Sequence, residues 1–185
     1  MSFYSALDNK RKLLFIFLFL VVVSFFTQTI FKGLENSCDL MWQPSTLFWN
    51  GVNHYEYQYT TRDWYLGCQK GQYGHFLFVF LYPISFLDWE QAKIFWIVVN
   101  IFFAISIPLM ICGSSKLSIN LTLLVLGIFL TCHPTRMTFN LGQNSLMMFF
   151  FLSLPFVYLD RFKNFKTLLA GISYVKYSTG YVLFL

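Results

Sequence analysis

Charged residues are scarce in this sequence, and their scarcity excludes a soluble domain. Only 11% of the 185 residues are Asp, Glu, Lys or Arg, whereas soluble domains carry roughly 25%. Hydrophobic residues make up 57% of the chain and 24 residues are Phe, a composition that suits lipid-facing helices and would make a soluble surface prone to association. The composition predicts an all-α membrane protein, a polytopic helical bundle.

Cysteine and metal-ligating residues are also few. The four cysteines do not form a disulfide framework, although Cys38 and Cys68 lie in one predicted outer loop and could pair. The three His and eight acidic residues show no metal-ligand spacing. The sequence therefore gives no support for a metal site or another cofactor.

The net charge of +5 is interpreted from where the basic residues lie along the sequence. Lys and Arg cluster beside apolar runs, which indicates membrane topology and not nucleic-acid binding. Residues 13–31 form 19 uncharged positions, close to the ~20 that cross a hydrocarbon core of ~30 Å. Because Lys10, Arg11 and Lys12 precede this run, the N-terminus is predicted to be cytoplasmic. A cleaved signal peptide is the weaker alternative, since no A-x-A-like site follows.

One short apolar segment decides the remaining topology. Residues 76–87 are too few to cross at ~1.5 Å per residue, and Pro83 favours a break, so we expect a re-entrant or interfacial segment. Asp88 and Gln91 then predict a capping box, which explains the local acids with fewer assumptions than a metal motif. This topology keeps the basic group at 161–166 in the cytoplasm. The predicted spans are 13–31, 92–112, 117–131, 145–159 and 167–185, with outer loops at 32–75 and 132–144.

The first outer loop, residues 32–75, is too long for a simple connection and contains the candidate catalytic acid. Asp39 lies eight residues past the first apolar run, where hydrocarbon meets water. Pro44 and Gly51 predict a short interfacial helix between them. Trp42 belongs to an aromatic set that forms either a belt at headgroup level or a wall that stacks a sugar or a lipid carrier.

A second polar group lies on the same predicted outer face. The Gly142-Gln143-Asn144 turn opens a helix, where backbone N–H groups favour an anion such as phosphate. Asn144 is equally well explained as a helix cap. Arg136 could pair with a phosphate or remain a solvated charge.

Lys176 is the one charge inside the last predicted span. It lies about nine residues from the cytoplasmic end, which is ~14 Å into the membrane by helix rise. Burial of an ammonium there requires a partner, such as an anionic headgroup or Asp39, unless the side chain snorkels to the surface.

The order of these motifs resembles glycosyltransferase family 87 of the GT-C superfamily, over most of the chain. The family is known for polytopic enzymes that transfer a sugar from a polyprenyl-phosphate carrier on the outer side of the membrane. The segments that carry the resemblance are Cys38-Asp39-Leu40-Met41-Trp42, Trp49-Asn50-Gly51-Val52-Asn53-His54-Tyr55, Tyr82-Pro83, Trp89-Glu90-Gln91-Ala92-Lys93, Leu141-Gly142-Gln143-Asn144-Ser145 and Ala170-Gly171-Ile172-Ser173-Tyr174-Val175-Lys176-Tyr177.

The resemblance implies roles for particular residues. Asp39 would be the general base that takes a proton from the acceptor hydroxyl, with inversion at the anomeric carbon of a mannose-like hexose. The donor phosphate would be bound by Gln143, Asn144, Lys176 and Arg136. His54 and His75 would orient substrates or relay protons, or are structural histidines.

The resemblance also implies partners and a location. The partners are a lipid-linked sugar donor, a lipid or glycan acceptor and the membrane, and the location is the cell (inner) membrane. Members of the family have roughly ten or more spans, so the sequence is expected to be an N-terminal part that lacks any residues supplied by the later helices and need not be active alone. The alternatives are a transporter or lipid flippase fragment, which also places charges in a central cavity, and a non-catalytic membrane subunit.

Overall fold

The computed structural model describes residues 3–38, 41–56 and 76–158, and these are helical with no strand among them. The fold class predicted from composition is confirmed for this part of the chain. The α-helices are α1 (Phe3–Asn36), α2 (Trp42–Trp49), α3 (Phe76–Phe80), α4 (Trp89–Ser114), α5 (Ile119–Thr131), α6 (His133–Leu141) and α7 (Ser145–Val157), and a 3-10 helix covers Tyr82–Phe86.

Within the described residues, two helices are long and apolar enough to cross a membrane. The stretches are Arg11–Asn36 of α1 and Trp89–Ser114 of α4, each of 26 residues. A third crossing results if α5 and α6, which meet at a bend of 48°, form one span. Helix α7 has 13 residues, about 20 Å by helix rise, so the span predicted at 145–159 stays a prediction. The span predicted at 167–185 lies outside the described residues.

Local capping chemistry fixes where α4 begins. The Asp88 carboxylate accepts from the Gln91 N–H at 2.8 Å, and the Gln91 side-chain oxygen accepts from the Asp88 N–H at 3.4 Å. The capping box predicted from the sequence is therefore confirmed. One turn later, Lys93 pairs with Glu90 at 2.8 Å and donates to the Leu34 carbonyl at 3.3 Å. The start of α4 is thus bonded to the end of α1.

Proline and glycine shape the short outer elements as expected. Pro44 lies in the first turn of α2, and Gly51, with φ of 73°, follows its end. Helix α3 ends at Phe80, and the 3-10 helix begins at Tyr82 with Pro83 in its first turn. The expected break at this proline is confirmed. The short elements pack together through rings, with Phe48 centred 5.4 Å from Phe78.

The segment 132–144, expected as a loop, is mostly helical and requires a correction. Helix α6 covers His133–Leu141, with Pro134 at its start and Gly142 in the left-handed conformation at its end. Proline at the first helical positions removes an N–H that has no intrahelical acceptor there, so it separates α5 from α6 without preventing α6. The sequence analysis expected a loop over 132–144, whereas a new helix starts at His133.

Helix α6 packs closely on α1 because a glycine lies at the contact. A Cβ added to Gly33 would lie 2.9 Å from the Phe139 carbonyl oxygen. The Phe139 ring packs edge-on against Phe26, with centroids 5.6 Å apart. Small residues allow this kind of close backbone approach between membrane helices.

Replacement of Gly33 by Ala is expected to lower the free energy of unfolding by about 1–3 kcal/mol, because the added methyl group overlaps a backbone atom that cannot rotate away. The matched control is Gly113→Ala in α4, where an added Cβ meets nothing within 4 Å; it is expected to gain about 0.4–1 kcal/mol. Thermal unfolding of the two variants in one detergent compares them. Equal stability of both would contradict the close α1–α6 contact.

Candidate functional site

The contacts among the long helices bring two distant polar segments to one end of the bundle. Helices α1 and α6 run in the same direction, since Gly33 meets Phe139 and Asn36 donates to Asn140 at 3.2 Å. Helix α4 runs the opposite way, because its first turn reaches Leu34. The end of α1, the start of α4 and the turn between α6 and α7 therefore lie together.

The turn at residues 142–144 is fixed by backbone bonds and by one tryptophan. The N–H of Gly142 donates to the Phe139 carbonyl at 3.1 Å, and that of Gln143 donates to the Thr138 carbonyl at 2.9 Å. The buried Trp96 of α4 donates its indole N–H to the Gly142 carbonyl at 3.0 Å. These bonds hold the turn against α4.

The end of α1 packs directly on the same turn. Ser37 lies so close to Gly142 that any side chain at position 142 would overlap the Ser37 hydroxyl. The Cys38 N–H donates to the Leu141 carbonyl at 3.3 Å. Because Asp39 is the next residue in the chain, the segment that carries the candidate acid leaves α1 at the turn that carries Asn144.

Met41, on the other side of this segment, has a strained backbone. It is buried and has φ of 62° and ψ of 22°, a left-handed conformation that is uncommon for residues other than glycine. Such conformations cost about 1–3 kcal/mol and cluster at functional sites. The strain lies two residues after Asp39.

Asn144 occupies the N-cap position of α7 but does not act as a cap. Its side chain makes no capping hydrogen bond, is 0% exposed, and both of its polar atoms lack a partner in the described part of the chain. A buried unsatisfied polar group costs about 1–3 kcal/mol. The first intrahelical bond of α7 runs from the Met148 N–H to the Asn144 carbonyl at 3.1 Å. The positive end of the helix dipole therefore lies beside a side-chain amide that has no hydrogen-bond partner among the described residues.

The remaining sequence candidates that are described lie around this end of the bundle or in its core. Trp42 is partly buried, donates its indole N–H to the Leu87 carbonyl at 2.9 Å, and packs against Trp89 with centroids 5.5 Å apart. His54 is buried, with its ring 3.9 Å from Tyr55 and edge-on to Phe78 at 4.8 Å. These ring contacts favour the structural interpretation of His54. Gln143 is partly buried in the turn itself.

Arg136 lies apart from the turn. Its guanidinium is centred 5.5 Å from the ring of Phe25 on α1, whereas the turn contacts α4 and the end of α1. Six residues of chain separate Arg136 from Gly142, about 9 Å along a helix axis. Arg136 therefore packs further back along α1, whereas the turn packs on the end of α1 and on α4.

Three candidates, Asp39, His75 and Lys176, lie outside the described residues, as does Cys68. Their roles stay predictions. Among the residues that the structure does describe, no group of three or more His, Cys, Asp or Glu could hold a metal ion.

Two residues of α4 were missed by the sequence-based interpretation. Trp96 holds the 142–144 turn, and Asn100, one helical turn further, is fully buried with both side-chain polar atoms unpartnered within the described segments. An asparagine near the middle of a 26-residue apolar helix is a signal that could have been used, because polar side chains at that depth are costly and often functional.

Comparison with known proteins identifies the family. The family model described as Glycosyltransferase family 87 matches residues 72–185, which is more than half of the chain and includes the 142–144 turn. No curated protein and no solved structure matches the chain. The matched range begins after Asp39, so the family assignment depends on α3 to α7 and the residues that follow. With an all-helical bundle and helices able to cross a membrane, the chain belongs to glycosyltransferase family 87, a family of membrane glycosyltransferases.

Proposed function

We propose that this membrane glycosyltransferase transfers a mannose-like hexose from a polyprenyl-phosphate donor to an acceptor hydroxyl on the extracytoplasmic side. One observation carries the proposal. Cys38, the residue before Asp39, donates its N–H to the Leu141 carbonyl, and the nearby Asn144 amide at the start of α7 is buried without a partner among the described residues. This arrangement supports the proposal of a base and an anion-binding site at one end of the bundle.

The reaction requires only these two functions. The Asp39 carboxylate takes the proton of the acceptor hydroxyl as the oxygen attacks the anomeric carbon. The bond between that carbon and the phosphate oxygen breaks with inversion, and polyprenyl phosphate leaves with the bonding electrons. The Asn144 side-chain amide, as a hydrogen-bond donor, and the N-terminus of α7 stabilise the negative charge that grows on this phosphate.

The proposed orientation follows from charge. Lys116 lies in the turn between α4 and α5, at the end of the bundle opposite the 142–144 turn, since α4 runs away from that turn. Lys10, Arg11 and Lys12 lie at the start of the apolar stretch of α1, which is the same end. Basic residues favour the cytoplasm, so the proposed site faces the extracytoplasmic side.

The function of Asn144 is tested by a variant that should separate stability from activity. Asn144→Leu removes an unsatisfied buried amide, so the protein is expected to unfold at an unchanged or higher temperature. If the amide donates to the donor phosphate, the KM for the donor rises about tenfold to hundredfold, the equivalent of ~1.5–3 kcal/mol for a hydrogen bond to a charged group. The assay follows hexose transfer from polyprenyl-phosphate mannose in proteoliposomes that contain the full-length protein.

Asn100→Leu is the matched control, since Asn100 is equally buried and equally unpartnered among the described residues. It is expected to change stability in the same direction and to leave the donor KM unchanged. An Asn144→Leu protein that loses stability but keeps its donor KM would make Asn144 a structural residue and remove the phosphate site from the proposal.

A further inference from the structure

A groove runs between α1 and α5, and no residue of α4 lines it. Its cavity volume is about 710 Å³, within the range of ~300–1,000 Å³ typical of ligand sites. Gly127 contributes to its shape, because an added Cβ there would lie 3.2 Å from a methyl group of Val22. The lining is almost entirely apolar, and it includes Phe15, Phe19, Phe25, Leu123, Leu124 and Ile128.

The groove opens outward and not toward the proposed active site. Phe19, Leu124 and Ile128 are 59%, 54% and 59% exposed, so the groove is open at the surface of the described helices. The 142–144 turn, in contrast, contacts Trp96 and Ser37, neither of which lines the groove. The groove and the proposed active site are therefore separate.

A cation lies next to this apolar groove, in contact with one of its lining rings but not itself a lining residue. The ring of Phe25 lines the groove, and the Arg136 guanidinium is centred 5.5 Å from that ring. Arg136 is partly buried, and it forms no ion pair with any residue of the described ranges. Phe25 lies six residues before the end of the uncharged run 13–31, about 9 Å by helix rise. A guanidinium at this depth is costly unless an anion compensates it.

We propose that the α1–α5 groove binds one anionic phospholipid of the surrounding bilayer, with an acyl chain along the groove and the phosphate paired with Arg136. Apart from Asn120 and Thr131 the lining is apolar, so it offers few hydrogen bonds to a peptide backbone and suits a hydrocarbon chain better than a protein segment. The single guanidinium matches a headgroup with one net negative charge. Because the groove does not open to the proposed active site, this lipid is distinct from the sugar donor and the inference is independent of the proposed function.

The test measures lipid retained by the purified full chain in detergent by native mass spectrometry. The probes are palmitoyl-oleoyl phosphatidylglycerol, the phosphatidylcholine with the same chains, undecaprenyl phosphate and inorganic phosphate. One phosphatidylglycerol is expected to bind per chain, more tightly than phosphatidylcholine. Arg136→Gln is expected to weaken this binding about fivefold or more, since each basic residue near a lipid phosphate has an effect of about that size, and Arg136→Lys should retain part of it.

A second variant fills the groove without touching the cation. Leu124→Trp, on α5, is expected to abolish retention of phosphatidylglycerol. Its control is Val98→Trp on α4, since Val98 is 60% exposed and does not line the groove; that variant should bind lipid as the wild type does. Thermal unfolding verifies that each variant is folded, and Leu124→Trp decides the question if Arg136→Gln does not fold.

Three results would overturn the proposal. Equal retention of phosphatidylglycerol by Leu124→Trp and Val98→Trp would show that the groove is not the binding site. Tighter binding of undecaprenyl phosphate, lost in Arg136→Gln, would assign the groove to the sugar carrier. Displacement of phosphatidylglycerol by millimolar inorganic phosphate would indicate a site for the free anion alone.

Discussion

Replacement of Asp39 by Asn is expected to lower the transfer rate by about 10²–10⁴-fold, because the amide cannot accept the proton that the acceptor hydroxyl loses. Asn has nearly the same shape as Asp, so folding and donor binding should persist. The measurement is the initial rate of hexose transfer at saturating donor and acceptor, together with the donor KM. A fall in kcat with an unchanged KM identifies an interaction made in the transition state.

Glu35→Gln supplies the matched control for this experiment. Glu35 is an exposed acid in the last turn of α1, four residues before Asp39, and its neutralisation changes the local charge by the same amount. It should leave kcat within about twofold, since a charge effect on surface potential alone is screened by salt. Equal losses in both variants would mean that negative charge near the site matters and that no specific base has been found.

The experiment also separates the rival functions of the chain. A transporter would show altered flux with no transfer to measure in the wild type, and a non-catalytic subunit would show no difference between Asp39→Asn and Glu35→Gln. Membership of glycosyltransferase family 87 favours the enzyme over both. The acid itself precedes the matched range, so its role depends on this result.

The features of the fold that were predictable from the sequence depend on local chemistry. The capping box at Asp88 and the break at Pro83 each follow from residues within one or two turns, and both were confirmed. Helix α6 was missed because the same residue, Pro134, can end one helix or start the next. Which of the two it does depends on packing, here the contact between Phe139 and Gly33. These two residues are far apart in the sequence.

The candidate site shows the same limit. The sequence indicated that the Gly142-Gln143-Asn144 turn opens a helix, and α7 does begin at Ser145. It could not indicate that Ser37 packs on Gly142 or that Trp96 binds its carbonyl, since these pairs are brought together only by the packing of α1, α4 and α6. Nor could it decide whether Asn144 is a cap, because that depends on a hydrogen bond that the folded chain does not make.

The Gly142→Ala variant tests whether this packing holds the site together. Gly142 has φ of 71°, a conformation that costs other residues about 1–2 kcal/mol, and the added methyl group would overlap the Ser37 hydroxyl and lie 3.2 Å from the Ser37 Cβ. With overpacking at about 1–3 kcal/mol, the free energy of unfolding should fall by about 2–5 kcal/mol in all. Transfer should fall as well, since the turn and the segment leading to Asp39 move apart.

Two further variants divide this loss into its causes. Gly51→Ala has the same backbone conformation, with φ of 73°, but an added Cβ there meets nothing within 4 Å, so it should lose only the conformational part. Ser37→Gly removes the side chain that an alanine at position 142 would overlap. In a Ser37→Gly background, Gly142→Ala should therefore lower the free energy of unfolding only as much as Gly51→Ala does in the wild type. If the second change restores stability and transfer together, the contact between the end of α1 and the turn positions the acid. If it restores stability alone, the acid reaches its position by some other contact, and the proposed link between Asp39 and the α7 N-terminus is wrong.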